Sequence, residues 1–176
     1  MNRRTFIGTA VFLGAASLYG RETSPAAPRR KPGTVLDTRT SRRYGSAVIT
    51  AAIGYARQQE GRPYLWGGTG PGGFDCSGLV MMAYRTAGIT LPRTSQEQWA
   101  AGSRVSSPQP GDLVFFPGVD GTWDRPGHVG LVTGPGRMIQ AYGIGVPVGL
   151  YPFGSRGALP GTGPGDIVGY TRPAAT

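Results

Sequence analysis

The chain holds one cysteine and one histidine among its 176 residues, Cys76 and His128. A single cysteine excludes an intrachain disulfide. With one Cys, one His and no carboxylate cluster, the ordinary zinc sites are excluded as well, because they draw on several such ligands. No Gly-x-Ser-x-Gly sequence occurs, so the exposed serine of a strand-to-helix elbow is missing too. Acidic residues are scarce, nine against 18 basic ones, for a net charge of +9. That balance suits a nucleic-acid binder until its distribution is considered. Residues 1–43 carry nine of the basic and two of the acidic residues, which leaves the rest of the chain near +2 with no basic stripe or helix. The electrostatic footprint of a nucleic-acid partner is therefore absent.

The longest apolar run, Phe6 to Tyr19, is short for a bilayer span. It follows the pair Arg3 and Arg4, and this order of charge, then apolar run, predicts an export signal of the twin-arginine type over residues 1–20. Residues 21–43, rich in Arg and Pro and without apolar periodicity, read as a basic linker. Residues 44–176 then form one domain, expected to be exported, monomeric, and free of a stable membrane span after processing. A basic linker suits loose attraction to an anionic envelope. An unpaired thiol in an oxidising compartment needs an explanation.

In that domain Val48, Ala51, Ala52, Tyr55 and Ala56 recur at helical spacing, predicting a helix over Gly45 to Glu60 ended by Gly61 and Pro63. The Gly- and Pro-rich loop "RPYLWGGTGPGG" follows. A second helix starts at Cys76 with Asp75 as its N-cap and Gly88 at its end, and a short third occupies "RTSQEQWAAG" with Thr94 or Ser95 as cap. Beyond Gly111 come strand-like segments: "DLVFF", "HVGLVTG", "RMIQAY", "VPVGLY" and "DIVGYTR". Helices first and strands after predict an α+β domain with helices on one face of a mostly antiparallel sheet of five to six strands.

A thiol in the first turn of a helix meets unpaired N–H groups and the positive end of the helix dipole, so the thiolate is expected to be favoured. Gly72, Gly73 and Gly78 are expected to keep its surroundings open to a substrate backbone. The alternative is a buried cysteine acting as a small hydrophobe. His128, at the mouth of an apolar strand, is the one base of the right kind to pair with it. Gln140, on the next strand with Met138 and Tyr142 on its face, is placed to accept from the imidazole N–H. A neutral orienter holds a tautomer without stabilising an imidazolium, so its loss should cost less than loss of Cys76 or His128.

The ordered set "RPYLWGG", "FDCSGLV", "LPRTSQEQ", "GDLVFF" and "HVGLVTG" resembles the NlpC/P60 family of cell-wall cysteine peptidases, from Tyr44 to Tyr170. The resemblance implies a papain-like α+β fold and hydrolysis of peptidoglycan stem peptides, often between D-glutamate and a diamino acid, without a cofactor. It makes Cys76 the nucleophile, His128 the general base and Gln140 the third polar member, a position more often His in the family. Tyr64 matches the loop tyrosine that helps hold the oxyanion, Asp75 and Ser77 match positions that in some relatives meet the free amino end of the substrate, and Arg93 and Ser95 border the groove. Asp75 and Arg93 have the alternative roles of helix cap and surface charge. The segment "GVDGTWDRPG" is longer than the usual family turn, and Trp123 and Asp124 are expected to shape a groove wall. Two other readings remain open here: a silent wall-binding module, and a thiol acyltransferase or amidase on the same scaffold.

Overall fold

The computed structural model describes residues 38–173, so the expected export signal and most of the expected linker lie outside the described residues. The first helix, α1 (Thr38–Gln58), begins inside the segment read as linker, well before Gly45. Its inner face is narrower than the periodicity suggests. Ala52 and Ala56 are fully buried, Val48 and Tyr55 pack against them, and Ala51 faces solvent. Gly61, at φ +86°, turns the chain out of the helix, and its N–H donates to the Val148 carbonyl at 2.8 Å.

Helix α2 (Cys76–Thr86) follows the loop and packs on α1. Leu79, Val80, Ala83 and Tyr84 form its buried face, and the Tyr84 hydroxyl donates to the Gly111 carbonyl. Helix α3 (Ser95–Ala101) is short and closed at its start by a capping box. Thr94 accepts from the Glu97 backbone while Glu97 accepts from that of Thr94, which selects Thr94 over Ser95 as cap.

Six strands follow: β1 (Ser103–Val105), β2 (Leu113–Phe116), β3 (His128–Gly134), β4 (Arg137–Gln140), β5 (Gly149–Pro152) and β6 (Gly169–Arg172). They form one sheet in the order β1-β6-β2-β3-β4-β5, and every neighbouring pair is antiparallel. Side chains alternate across a strand. Leu113, Phe115, Val129, Leu131 and Ile139 therefore join the helices in the main core. Val114, Phe116, Val132 and Met138 point the other way, under Phe153, Ile167 and Tyr170. The Arg172 guanidinium meets Asp112 through two bonds of 2.8 and 2.9 Å, tying β6 to the turn before β2.

The expected α+β layout is present, with helices on one face of a six-stranded antiparallel sheet. The strands depart from expectation in several places: the one in "RMIQAY" ends at Gln140, and the one in "VPVGLY" begins only at Gly149 and runs on to Pro152. In "DIVGYTR" only Gly169–Arg172 is strand, although the Val168 N–H still reaches the Phe115 carbonyl, and β1 was not anticipated at all.

Candidate active site

The thiol sits where the sequence places it, at the first residue of α2. Asp75 caps that helix, its Oδ1 accepting from the Gly78 N–H at 2.7 Å, while Oδ2 accepts from the Gly67 N–H at 3.0 Å. One carboxylate thus fixes both the helix start and the preceding loop. The loop itself is pinned by Leu65 N–H to the Phe74 carbonyl and Phe74 N–H to that of Pro63. Glycine serves this loop and not an incoming substrate. A Cβ on Gly78 would fall 2.1 Å from the Gly68 carbonyl oxygen, and one on Gly73 would fall 2.7 Å from that of Pro63, whereas Gly72 faces open space. The expected substrate clearance at Gly73 and Gly78 is thus taken up by the chain's own backbone.

Cys76 Sγ lies 3.8 Å from the carbonyl oxygen of Gly127, the residue before His128. The helix that carries the thiol and the strand that carries the imidazole therefore meet at the sulfur. His128 opens β3 opposite Phe116 and is buried, its ring 5.9 Å from those of Phe116 and Tyr142. Its Nε2 lies 2.6 Å from Gln140 Oε1. An amide oxygen can only accept, so Nε2 carries the proton and Nδ1 is left with a free lone pair. Gln140 itself is fully buried and its Nε2 has no partner among the described residues.

Electrostatics at the thiol run against the expectation from the helix end. Burial pushes the Cys76 pKa up, the charge of Asp75 adds to it, and the N–H groups of Val129 and Ser77 oppose it, with the result near 11. Helix-end N–H groups favour a thiolate, but taking a charge out of water costs more here. Burial likewise lowers the His128 pKa below 6.5, against the opposing influence of Gln140 and Asp120. At neutral pH the pair is a thiol and a neutral imidazole. Tyr64, half-buried in the loop, is pushed to about 12 by burial and then by the charges of Cys76, Asp75 and Asp120. Its phenol stays protonated and available as a donor.

The remaining candidates separate. Arg93 clamps Asp75 with two bonds, Nη2 to Oδ2 at 2.5 Å and Nη1 to Oδ1 at 3.0 Å, and Nη1 also donates to Ser77 Oγ at 3.0 Å. Asp75, Ser77 and Arg93 are therefore one cluster, with Asp75 already occupied. Ser95 stands apart, buried at the start of α3 with its hydroxyl bonded to Gln96. Trp123 and Asp124 lie on an exposed loop, Trp123 at 55 % exposure.

Two contributors were not singled out from sequence. Gln98 donates from Nε2 to the carbonyls of Ser77, at 3.0 Å, and Pro92, at 2.9 Å, locking α3 to the start of α2. It lies in the quoted "RTSQEQ" stretch, but its inward direction is a tertiary fact. Asp120 is the other, on the long turn before His128. Among the described residues no three His, Cys, Asp or Glu side chains gather to hold a metal ion, and no helix is long and apolar enough to cross a membrane.

An α+β domain with a cysteine at a helix start and a histidine on the facing strand has the papain-like arrangement. The NlpC/P60 family model matches residues 61–151, more than half of the chain, and the chain belongs to that family. It is 44% identical over 112 residues to a probable endopeptidase of Mycobacterium tuberculosis, covering 62% of this chain and 28% of that protein. It is 48% identical over 96 residues to the bifunctional muramidase/DL-endopeptidase CwlT of Bacillus subtilis, covering 52% of this chain and 28% of CwlT. The chain thus spans little more than a quarter of the length of these curated relatives. Among solved structures, the peptidoglycan hydrolase RipB of Mycobacterium tuberculosis superposes with a TM-score of 0.58 at 30% identity, over 78% of this chain and 68% of RipB.

Proposed function

We propose that the protein is an exported cysteine peptidase that hydrolyses peptidoglycan stem peptides at a bond between D-glutamate and a diamino acid. The observation that carries the reading is the join at Cys76: a thiol at a helix start rests against the backbone leading into His128, whose far nitrogen is held by Gln140. The names of its relatives, endopeptidases and a peptidoglycan hydrolase, supply the substrate class.

With both partners neutral at rest, His128 works as a general base during attack and not as half of a standing ion pair. Cys76 Sγ bonds to the amide carbon as its proton passes to the bare Nδ1 of His128. The carbonyl oxygen takes the electron pair and is met by the Tyr64 hydroxyl and by a backbone N–H beside Cys76. Collapse breaks the carbon–nitrogen bond, and the leaving amine takes the proton from the imidazolium. Water, deprotonated by His128, then hydrolyses the thioester and restores the thiol. Gln140 is a positioning residue that keeps Nε2 protonated and so keeps Nδ1 free. Gln140→Leu is expected to lower kcat about tenfold or more while Gln140→Asn retains more of it, because the tautomer is held by a single acceptor. The segment 1–43 would deliver the domain to the envelope.

The test is mass spectrometry of defined stem peptides and purified peptidoglycan after incubation with the full chain or with Cys76→Ala. Cleavage next to D-glutamate that disappears in the variant is the expected outcome. Absence of any Cys76-dependent product would overturn the peptidase reading, and transfer to an added amine in place of water would turn it into an acyltransferase.

A further inference from the structure

A hydrogen bond holds His128 at one point, and one point does not fix the plane of a ring. Nε2 is tied to Gln140 Oε1, yet the imidazole can still swing about that bond, because the torsion between Cβ and an aromatic ring is broad. Nδ1 has to face the thiol for proton transfer, so the plane must be set by what flanks it. Two rings do so, Phe116 tilted at 38° and Tyr142 T-shaped at 78°, each with its centroid 5.9 Å from that of the imidazole.

The two rings are supported differently. Phe116 is fully buried, stands opposite His128 in the β2–β3 ladder and packs with Val114, Val132, Met138 and Phe153. Tyr142 is half-buried and lies beyond Gln140, the last residue of β4, so no strand pairing holds it. Its hydroxyl donates instead to the Pro160 carbonyl at 2.6 Å. Pro160 belongs to residues 153–168, the Gly- and Pro-rich stretch between β5 and β6. That stretch is built on its own hydrogen bonds. The Gly154 N–H donates to the Thr162 carbonyl at 3.0 Å, the Thr162 hydroxyl donates to the Leu159 carbonyl at 2.7 Å, and Asp166 accepts from the Gly163 N–H at 2.9 Å. Tyr142 therefore leans on a formed platform. Gln140 and Tyr142 are two residues apart on extended chain and share a face, so one piece of backbone offers the imidazole both an acceptor for its proton and a ring against its plane.

We infer that Tyr142 is a positioning residue for His128: its ring fixes the imidazole plane that Gln140 alone leaves free, and its hydroxyl makes the β5–β6 stretch part of that support. This rests on the peptidase reading above. A thiol and an imidazole that are both neutral at rest depend on such alignment, since the proton moves only when Nδ1 lies in line with the sulfur.

The experiment is steady-state kinetics on a defined stem peptide, joined to nitrogen NMR of the imidazole, for the full chain and its Tyr142→Phe and Tyr142→Leu variants. His128 is the only histidine, so one pair of ring nitrogens reports its state. Tyr142→Phe keeps the ring and loses the bond to Pro160, and kcat is expected to fall about threefold, the worth of one modest hydrogen bond. Tyr142→Leu loses the flat ring as well, and kcat is expected to fall about tenfold or more through a misplaced base. KM should stay within about twofold of the wild-type value in both variants, because the loss falls on the transition state. In Tyr142→Phe the Nε2 proton should remain, since Gln140 is intact, while the ring signals broaden as the plane becomes mobile.

An unchanged kcat in Tyr142→Leu would overturn the inference. So would a raised KM at unaltered kcat, which would make Tyr142 a substrate contact, or ring signals as sharp in Tyr142→Phe as in the wild type. Should Tyr142→Leu fail to fold, Tyr142→Phe decides by the same readouts. If the wild-type chain cleaves no stem peptide, the peptidase reading fails, and the ring signals still decide whether Tyr142 holds His128.

Discussion

Asp75 and Asp120 carry the same charge and both push the Cys76 pKa upward, yet one is buried within its own chain's hydrogen bonds and the other stands in solvent with no partner among the described residues. Asp75 has spent its oxygens on Gly78, Gly67 and Arg93. It builds the place where Cys76 sits. Asp120 builds nothing: it is exposed, on a turn that passes close to Gly127 and His128. The difference teaches that nearness to the thiol does not make a carboxylate a binding group. What matters is whether its hydrogen-bonding capacity has already been used.

The comparison can be broken most forcefully at Asp75. Asp75→Ala removes a helix cap and the acceptor of a charged pair, and unfolding by urea is expected to reveal a loss of roughly 2 to 3 kcal/mol. A loss no larger than that of an ordinary surface substitution would mean that the cluster is decorative. Arg93→Gln comes next. The Arg93 side chain is 36% exposed, so solvent screens the pair and the cost should be roughly 1 kcal/mol. The same change leaves Asp75 uncompensated beside the sulfur and should move the Cys76 titration further upward. Arg93→Lys should recover little, because an ammonium cannot make the two-pronged contact. Asp120→Asn should change stability least, within about 0.5 kcal/mol as for other exposed positions. Equal stability losses at the two aspartates would dissolve the distinction.

Much of this was legible in the sequence because it is local. The cap at Asp75 shows in the order Asp-Cys-Ser ahead of an apolar run, and the capping box at α3 shows in Thr94 followed by Glu97. Gln140 was found because side chains alternate along a strand, which set it on the face that His128 also uses. The rest depends on long-range contact. Strand β1 is three residues long and lies at the edge of the sheet, so it owes its form to pairing with β6, some seventy residues away in the chain. The thiol was misjudged for the same reason. A helix end is visible in sequence, but the burial that outweighs it is a tertiary fact, made in part by the Gly127–Val129 stretch some fifty residues further along the chain. Asp120 and Gln98 likewise have no local signature, since what distinguishes them is the backbone each one meets.

The resting state of the sulfur is where these charges can be tested most directly. The measurement is the rate of Cys76 alkylation by iodoacetamide as a function of pH, in the full chain and in His128→Ala. Burial and Asp75 hold the thiol protonated, and burial holds His128 neutral below its usual range. The account therefore predicts slow alkylation in mild acid that climbs with pH toward a thiol pKa of about 11, with a similar climb in His128→Ala. Fast alkylation that is already level near pH 5 and vanishes in His128→Ala would reveal a standing thiolate–imidazolium pair and contradict it.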